Sequence, residues 1–348
     1  MNKNTSEAYR KFSKRLVMTA RGKMGAMDMK REQAEEALDY LFTSEANDVQ
    51  ISAFLTAMRF KGATSDELTG FYDSIKKNSL SIHPEVDGLL DLSSPYDGRI
   101  KSLSLQIAFA LVTAAAGVPV IIHSTTGLVP KSGVTHANIL ESLAIPAFLE
   151  PGDVEKRVEK DNFGFLHAKH FAFGIEKLRN IREKLGYRTL LNTCESVNNP
   201  ANAQTMMFGV AHFPFIEKLL KVVTEHDVTR ALGVIGLEGS DELPMQISSA
   251  IELKDGKLFP FDLNPEDYGL KLQNKTAGKS ASETAKIIYK TLDNSLDDYK
   301  DAVIYNSGIR IYLGGKADTI ADGIELAKET LESGKALQKY RDVASFSA

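Results

Sequence analysis

The sequence predicts an α/β protein with a small all-helical N-terminal domain and a larger α/β domain that has a mostly parallel central sheet. Residues 1–82 carry only helical patterns, whereas from about residue 87 short apolar strands alternate with helices. Such alternation is typical of βαβ units. A chain of 348 residues has room for two domains at roughly 150 residues each. We therefore place a helical domain at 1–82, which helices near 170–190 could complete, and an α/β domain at 83–348.

The helical domain is predicted from amphipathic spacing. Segments 31–43 and 47–60 repeat apolar residues at intervals of three and four, which is the period of a helix with one buried face. A further helix is expected to begin at Thr64, because Glu67 follows it at the spacing of a capping box.

The strands of the second domain are short apolar runs between helical segments. The runs are "GLLDL", "VPVIIH" and "RALGVIGL", and the helices are expected at 104–116, 132–143 and 214–226. Gly117 and Pro119 divide the long apolar stretch at 105–122 into a helix and a strand, so we do not interpret it as a membrane span. A hairpin follows through "KDGK", and residues 281–340 return to helix.

Composition limits the location and partners of the protein. The single cysteine, Cys194, excludes an internal disulfide, and the first residues lack the apolar region of a signal peptide. These features predict a cytoplasmic protein that does not associate with membranes. The net charge of −4 gives no general attraction for nucleic acid, but residues 1–31 carry nine basic and two acidic residues, a net charge of +7. That segment is either a solvated helix face or a contact for a polyanion.

Ligands of open α/β sheets bind at the carboxyl ends of the strands, next to helix N-termini. This rule selects the loops at 93–102, 123–133, 192–200 and 236–242, which are rich in Gly, Ser, Pro and Asn. We expect these four loops to gather around one pocket.

Two of these loops and one helix carry residues suited to ligand binding. His123, Lys131 and Ser132 bring a cation and a hydroxyl to a helix start, which favours an anion site, although ordinary N-capping explains the same pattern. Asp241 and Glu242 are adjacent, which suits Mg²⁺, although adjacent acids on a loop are often only solvated. The planar guanidinium of a helical arginine such as Arg182 can bind a planar acid, but an isolated helical arginine is more often a surface residue.

Taken together, these residues resemble the anthranilate phosphoribosyltransferase and pyrimidine nucleoside phosphorylase superfamily over nearly the whole chain. The resemblance rests on the following segments, in order: "DVQISAFLTAMRFKGATSDELTGF", "AAAGVPVIIH", "GFLHAKHF", "IREKLGYRTLLN", "NNPANAQ" and "GLEGSDEL". It implies an active site in the cleft between the two domains and, commonly, a homodimer formed through the helical part. It also implies transfer of a pentose from a phosphorylated donor, typically phosphoribosyl diphosphate with Mg²⁺.

The resemblance assigns roles by position. Asp241 and Glu242 match the metal-binding acidic pair of the family, Arg182 matches its acceptor-binding arginine, and His123 matches the histidine after its second strand. No residue is assigned a catalytic role. The expected phosphate or donor-binding residues are Ser93, Ser94, Asp97, Gly98, Arg99, His123, Ser124, Thr125, Lys131 and Ser132.

The chain departs from the family at the donor site. Where the family's transferases carry a Gly-Thr-Gly-Gly-Asp-Gly loop, this chain has "SSPYDG" at 93–98. Pro95 has no N–H to donate, and Tyr96 adds bulk where backbone would approach a phosphate. We therefore expect that the loop does not hold diphosphate as the family does. It could still bind one phosphate through Ser93, Ser94 and Arg99, or stack a ring on Tyr96.

The sequence therefore predicts a pentosyltransferase, of the phosphoribosyl type, with an altered donor phosphate site. Its expected partners are a phosphorylated sugar donor, Mg²⁺ and a small planar or acidic acceptor. The alternative is a diverged homologue without activity that binds nucleic acid or another polyanion through its basic N-terminal segment.

Overall fold

The N-terminal part of the chain is a bundle of four helices. The computed structural model describes residues 6–22, 24–271 and 277–347, and the helices are α1 (Glu7–Thr19), α2 (Arg31–Leu41), α3 (Asp48–Lys61) and α4 (Ser65–Lys77). The predicted capping box at the start of α4 is present: Thr64 Oγ1 accepts from the Glu67 N–H at 3.2 Å, and the Glu67 carboxylate accepts from the Thr64 N–H at 2.9 Å. The rings of Phe12, Phe54 and Phe71 pack together inside the bundle.

The second part is built on a seven-stranded sheet. Its strands are β1 (Leu90–Ser93), β2 (Val120–Ser124), β3 (Phe163–His167), β4 (Thr205–Val210), β5 (Arg230–Ile235), β6 (Ser248–Lys254) and β7 (Lys257–Leu263). The spatial order is β3-β2-β1-β4-β5-β6-β7. The first five strands are parallel, whereas β6 and β7 form the predicted antiparallel hairpin at the edge. The predicted fold class is confirmed.

Eleven further helices are found in the described part of the second region. They are α5 (Gln106–Ala115), α6 (His136–Ser142), α7 (Pro151–Asp161), α8 (Phe173–Lys177), α9 (Arg179–Leu185), α10 (Leu190–Glu195), α11 (Pro214–Thr224), α12 (Ala281–Leu292), α13 (Lys300–Leu313), α14 (Ile320–Glu332) and α15 (Lys335–Ala344). Alternate residues of the strands face opposite layers, so that Met206 and Phe208 join the core on the bundle side while Met207 joins the core on the other.

Helices α8 and α9 and the start of α10 lie against the N-terminal bundle. Gly174 packs so closely on Phe42 that an added Cβ would lie 2.9 Å from the ring. Lys177 donates to the carbonyl of Phe42 at 3.3 Å, and the hydroxyl groups of Thr56 and Tyr187 are hydrogen-bonded. The helices near 170–190 therefore contact the bundle, and their assignment to the helical domain stays a prediction. The boundary at residue 82 stays a prediction.

Two further findings concern location. Within the described ranges, no helix has both the length and the apolar character that crossing a membrane requires. Cys194 is buried as a free thiol, and burial raises its pKa. The cytoplasmic location stays a prediction.

Candidate active site

The predicted loops meet at the carboxyl edge of the parallel strands. Ser93 ends β1 directly beside His123 of β2. The Gly133 N–H donates to the carbonyl of Asp97 at 2.9 Å, and Arg99 and Val134 exchange two backbone hydrogen bonds of 3.0 Å. The loops at 93–102 and 123–133 are thus joined through their backbones.

Gly98 makes this close approach possible. Its φ of +72° lies in the left-handed region, and an added Cβ would lie 2.6 Å from the backbone of Gly133. The neighbouring Asp97 is fully buried and accepts two hydrogen bonds from the Arg188 guanidinium, at 2.9 and 2.8 Å. Arg188 precedes α10, so it links the 192–200 region to the same edge. The Asp-Gly pair therefore holds three chain segments together.

Asp241, the first predicted metal ligand, is ion-paired inside the protein. It is 0% exposed, and its Oδ2 accepts from Arg310 Nη2 at 3.0 Å and from Gln106 Nε2 at 2.9 Å. Its Oδ1 is buried without a hydrogen-bond partner in the described part of the chain. Burial raises the pKa of Asp241 to about 7, because the attraction of Arg310 offsets only part of the loss of solvation.

Glu242, the second predicted metal ligand, is paired in the same way. It is 4% exposed, and its Oε2 accepts from Arg99 Nη1 at 2.5 Å and from the Leu105 N–H at 3.0 Å. Each carboxylate is thus bound by a separate arginine of the chain.

This arrangement does not fit a Mg²⁺ ion. Mg²⁺ requires octahedral oxygen ligands at short distances, and here one oxygen of each acid is bound by a guanidinium that would repel a dication. Among the residues that the structure describes, no group of three or more His, Cys, Asp or Glu side chains is placed to hold a metal. The Mg²⁺ site stays a prediction for this chain, and the two ion pairs weigh against it.

A third acid of the same loop, Glu238, binds backbone N–H groups. Its Oε1 accepts from the N–H groups of Lys101 and Ser102 at 2.8 and 2.9 Å and from the Ser102 hydroxyl at 2.8 Å. Its Oε2 lies 3.1 Å from Lys131 Nζ. Although burial alone would raise it, the hydrogen bonds from Ser102 and Lys131 hold the pKa of Glu238 at about 2.

His123 is also satisfied by the protein. It is fully buried, its Nδ1 lies 2.7 Å from the Tyr96 hydroxyl, and its Nε2 lies 3.2 Å from Asp91 Oδ1. Tyr96 is therefore buried in a hydrogen-bonded pair, which excludes the proposed use of its ring as an exposed stacking surface.

The predicted hydroxyl groups lie in the same buried layer, apart from Ser132. Ser94 donates to Gln106, and Thr125 accepts from Arg179. Ser124 donates to the carbonyl of Thr125 at 3.4 Å. Ser93 Oγ is buried and has no partner in the described part of the chain, whereas Ser132 is exposed with a φ of +45°. These hydroxyl groups therefore do not form one open phosphate cradle.

Arg182, the predicted acceptor ligand, is neutralised by an acid of its own chain. It is buried, and its two Nη atoms donate to the two carboxylate oxygens of Glu195 at 2.5 and 2.8 Å. Burial raises the pKa of Glu195, and the attraction of Arg182 opposes that shift. An acidic acceptor would have to compete with the Glu195 carboxylate for this arginine.

A cavity of about 420 Å³ lies between the bundle and the sheet. It opens where β1 and β4 end, which is the point where the strand order reverses and where open α/β sheets bind ligands. The described side chains at this cavity include one buried polar atom without a hydrogen-bond partner among the described residues, Asn192 Nδ2. The cavity is lined by Met58, Arg59, Gly62, Ala63, Leu68, Pro95, Arg188, Thr189, Leu190, Asn192, Thr193, Ser196, Gly209, Val210, Ala211, His212, Phe215, Leu219 and Gly239. We call this cavity the cleft.

Several site residues were not found from the sequence. Arg310 stands alone in the apolar helix segment "AVIYNSGIRIYL", and a single charge in such a segment indicates a buried partner. That signal was available but was not used. Glu195 and Glu238 carry no comparable signal, because isolated acids on short helices and loops are usually solvated.

Comparisons with known proteins agree with this architecture. The chain matches the helical bundle domain of a glycosyl transferase family at residues 21–79 and the a/b domain of that family at residues 98–337. It is 32% identical to the anthranilate phosphoribosyltransferase of Acetivibrio thermocellus over 314 residues, covering 89% of this chain and 90% of that protein. It is also 32% identical to the enzyme of the same name from Brevibacillus brevis, covering 90% and 92%.

Solved structures show the same fold. The crystal structure of anthranilate phosphoribosyltransferase from Thermus thermophilus superimposes with a TM-score of 0.85 at 26% identity, covering 96% of this chain and 98% of that chain. The Saccharomyces cerevisiae enzyme in complex with PRPP and Mg has a TM-score of 0.82 at 19% identity, covering 98% and 99%.

These similarities confirm the predicted superfamily and the prediction of a glycosyltransferase. The a/b match alone spans more than half of the sequence, and the helical match covers most of the bundle that precedes it. The chain therefore belongs to this glycosyl transferase family.

Proposed function

We propose that the protein is a pentosyltransferase that binds its substrate in the cleft and whose donor site differs from that of anthranilate phosphoribosyltransferases. The observation that carries the proposal is the cleft itself, a cavity of about 420 Å³ at the sheet position that favours ligand binding. The relatives support pentosyl transfer, since they are named as phosphoribosyltransferases. The yeast enzyme, described with PRPP and Mg, supports a phosphorylated sugar as the donor class.

The donor differs because the groups that would hold a metal-bound diphosphate are engaged. Asp241 and Glu242 are bound by Arg310 and Arg99. Pro95 lines the cleft where a backbone N–H would serve a phosphate. A pentosyl donor with a single phosphate, or with an uncharged leaving group, that binds in the cleft and not at Asp241 and Glu242 fits this protein better than a magnesium diphosphate.

The acceptor is expected to be planar and uncharged. Arg182, the group expected to bind an acid, is paired with Glu195. The cleft instead offers apolar contacts from Met58, Leu68 and Phe215, together with Asn192 Nδ2, which has no partner among the described residues. Apolar walls with a few polar atoms are typical of sites for small planar molecules.

Ligand binding tests this proposal. Thermal shift and calorimetry with phosphoribosyl diphosphate plus Mg²⁺, ribose 5-phosphate and nucleosides should identify a ligand among the last two classes. Ala211→Trp, which fills the cleft, should abolish that binding. Ala321→Trp, at an exposed alanine of α14, is the matched control and should leave it unchanged. If Ala211→Trp binds the ligand as the unmodified protein does, the cleft is not the site.

We also propose a homodimer formed through the bundle. Val49 and Phe60 are 77% and 83% exposed on α3, and their spacing of eleven residues places them on one helix face. Exposed apolar side chains on one face favour association. Light scattering should report a dimer for the unmodified protein and a monomer for Phe60→Asp.

The basic N-terminal segment supports a second candidate, binding to nucleic acid or another polyanion. Lys14 and Arg21 are exposed, whereas Lys11 is paired with Glu36 at 2.8 Å. Lys3 and Lys23 lie outside the described residues. Because part of the charge is already neutralised, we favour the transferase. Binding that falls steeply with salt, and with charge reversal at Arg10, Lys11, Lys14 and Arg15, would support the second candidate instead.

A further inference from the structure

We infer that this protein carries internal counter-ions at its predicted donor site. The guanidinium groups of Arg99 and Arg310 take the place of a divalent cation at Asp241 and Glu242, and the Glu238 carboxylate takes the place of an anion at residues 100–102. The site consequently binds neither Mg²⁺ nor a phosphoryl group while these contacts are made. The site is formed by the loops at 93–102 and 236–242, which we call the donor loops, and these contacts do not depend on what binds in the cleft.

Arg310 is a fixed part of the core. It is fully buried on α13, and it donates to both the side chain and the backbone carbonyl of Asp241, each at 3.0 Å. Asn306 accepts from it at 2.9 Å through its backbone carbonyl, and the ring of Phe109 lies 5.1 Å from its Cζ. A guanidinium held from three sides cannot leave easily to admit a metal ion.

Arg99 is the second internal cation, and we call the two arginines with their two acids the cationic half of the site. Its side chain is 3% exposed, and while Nη1 binds Glu242, its Nε and Nη2 donate to the Ser102 hydroxyl at 3.2 and 2.8 Å. The two arginines therefore supply two positive charges to two carboxylates. A divalent ion would bring the same charge, so its place is already neutralised.

Glu238 and the backbone N–H groups that bind it form the anionic half of the site. The N–H groups of Ile100, Lys101 and Ser102 point to its carboxylate at 3.4, 2.8 and 2.9 Å. Consecutive N–H groups that converge on one acceptor form an anion-binding nest, the arrangement that proteins use for phosphate. Lys131 adds a cation at 3.1 Å, as expected for a phosphate site.

The backbone of Glu238 indicates that these contacts hold it in place. Its φ of 53° and ψ of 24° lie in the left-handed region, which is uncommon for residues with a side chain, and the contacts of its carboxylate hold it there. A second cavity, of about 840 Å³, is lined by Arg99, Ile100 and Lys131, so solvent anions have a route to the nest. Removing the carboxylate should therefore open a site for a phosphoryl or sulfate anion.

Metal binding tests the cationic half. Mn²⁺ is titrated into the unmodified protein, Asp241→Asn and Glu242→Gln, and free Mn²⁺ is followed by electron paramagnetic resonance. We expect the three proteins to bind the same amount of Mn²⁺. Any Mn²⁺ that binds is then held at a place other than Asp241 and Glu242. A site in the unmodified protein that either substitution removes would overturn the inference.

Anion rescue tests the anionic half. Glu238→Ala should be less thermostable, and inorganic phosphate should raise its Tm by roughly 2 °C at concentrations well above the Kd. The unmodified protein and Glu141→Ala, a control at an acid that lines the same cavity, should not respond. Glu238→Gln, which keeps the side-chain size, serves if Glu238→Ala does not fold, and it should respond more than the unmodified protein.

Equal responses to phosphate in the unmodified protein and in the Glu238 variants would contradict the anionic half. Both readouts are binding measurements that need no turnover. A failure to find a cleft ligand would therefore count against the proposed function and leave this inference standing.

Discussion

The donor loops and the cleft lie at the same edge of the sheet, but the donor loops are held together by ion pairs whereas the cleft is an open cavity. In the donor loops, the acidic groups are paired within the chain. Asp241 is ion-paired with Arg310, Glu242 is ion-paired with Arg99, and Glu238 accepts hydrogen bonds from the backbone nest. In the cleft, Asn192 Nδ2 has no hydrogen-bond partner among the residues that the structure describes. The charges of the donor loops are thus neutralised by ion pairs within the chain, although Asp241 Oδ1 has no partner among the described residues, whereas the cleft is a cavity of about 420 Å³ that a ligand can enter.

The difference teaches that the identity of a residue does not fix its role. Asp241 and Glu242 keep the acidic pair that the family resemblance assigns to a metal, yet each is bound by an arginine. Arg182 keeps the position assigned to an acceptor, yet it is bound by Glu195. In each case the partner decides what the residue can do.

The largest expected effect comes from removing Arg310. Arg310→Met leaves Asp241 buried without its cation, which should cost about 3–5 kcal/mol in the free energy of unfolding at pH 8. Because burial raises the pKa of Asp241 to about 7, proton uptake should make the loss smaller at pH 5. Urea unfolding at both pH values measures this.

A double variant and a control sharpen that result. Asp241→Asn combined with Arg310→Met should recover most of the lost stability, because no unpaired charge remains. Lys335→Met, which removes an exposed ion pair with Glu329, should cost less than about 1 kcal/mol. A similarly small loss for Arg310→Met would show that the Arg310–Asp241 ion pair does not stabilise the donor loops.

The acceptor arginine provides the next test. Glu195→Ala should cost about 3 kcal/mol, because it leaves Arg182 buried without a counter-ion. Acetate should restore part of that stability by entering the vacated space, and the unmodified protein should not respond. Glu183→Ala, at an exposed neighbour of Arg182, is the control in the same thermal measurement. No response to acetate would mean that the site collapses around Arg182.

A smaller loss is expected where the loops touch. Gly98→Ala and Gly127→Ala both place a side chain at positive φ, +72° and +64°. Only at Gly98 does the added Cβ meet the backbone of Gly133, and Gly127 has open space. Gly127→Ala should cost about 1 kcal/mol and Gly98→Ala about 2 kcal/mol or more, measured by chemical unfolding. Equal losses would mean that the backbones of Gly98 and Gly133 can move apart without a further cost in stability.

A last expected effect is the pH dependence due to Glu238. Its pKa is lowered to about 2 in the folded protein from an ordinary value of 4.5, so its contribution to stability is present above pH 4.5. That contribution should be lost as the pH falls from 4.5 toward 2. The stability difference between the unmodified protein and Glu238→Gln should shrink over that range in unfolding curves. A constant difference would show that the charge of Glu238 does not matter.

Much of the fold could be predicted because its signals are local. The alternation of strands and helices, the capping box at Thr64 and the "KDGK" hairpin each depend on neighbouring residues. The gathering of the loops followed from the general rule for the edges of parallel sheets.

The pairing within the site could not be predicted in the same way. Arg310 lies 69 residues from Asp241, and Arg99 lies 143 residues from Glu242. No periodicity connects such positions. The lone arginine in an apolar helix indicates that Arg310 has a buried partner, but only the packing of α13 against the loop identifies that partner as Asp241.

The most direct test of the account is anomalous diffraction from crystals of this protein soaked in Mn²⁺. We predict no anomalous peak at Asp241 or Glu242, with Arg99 and Arg310 still bound to the two carboxylates. A peak coordinated by these acids, with either arginine displaced, would contradict the account.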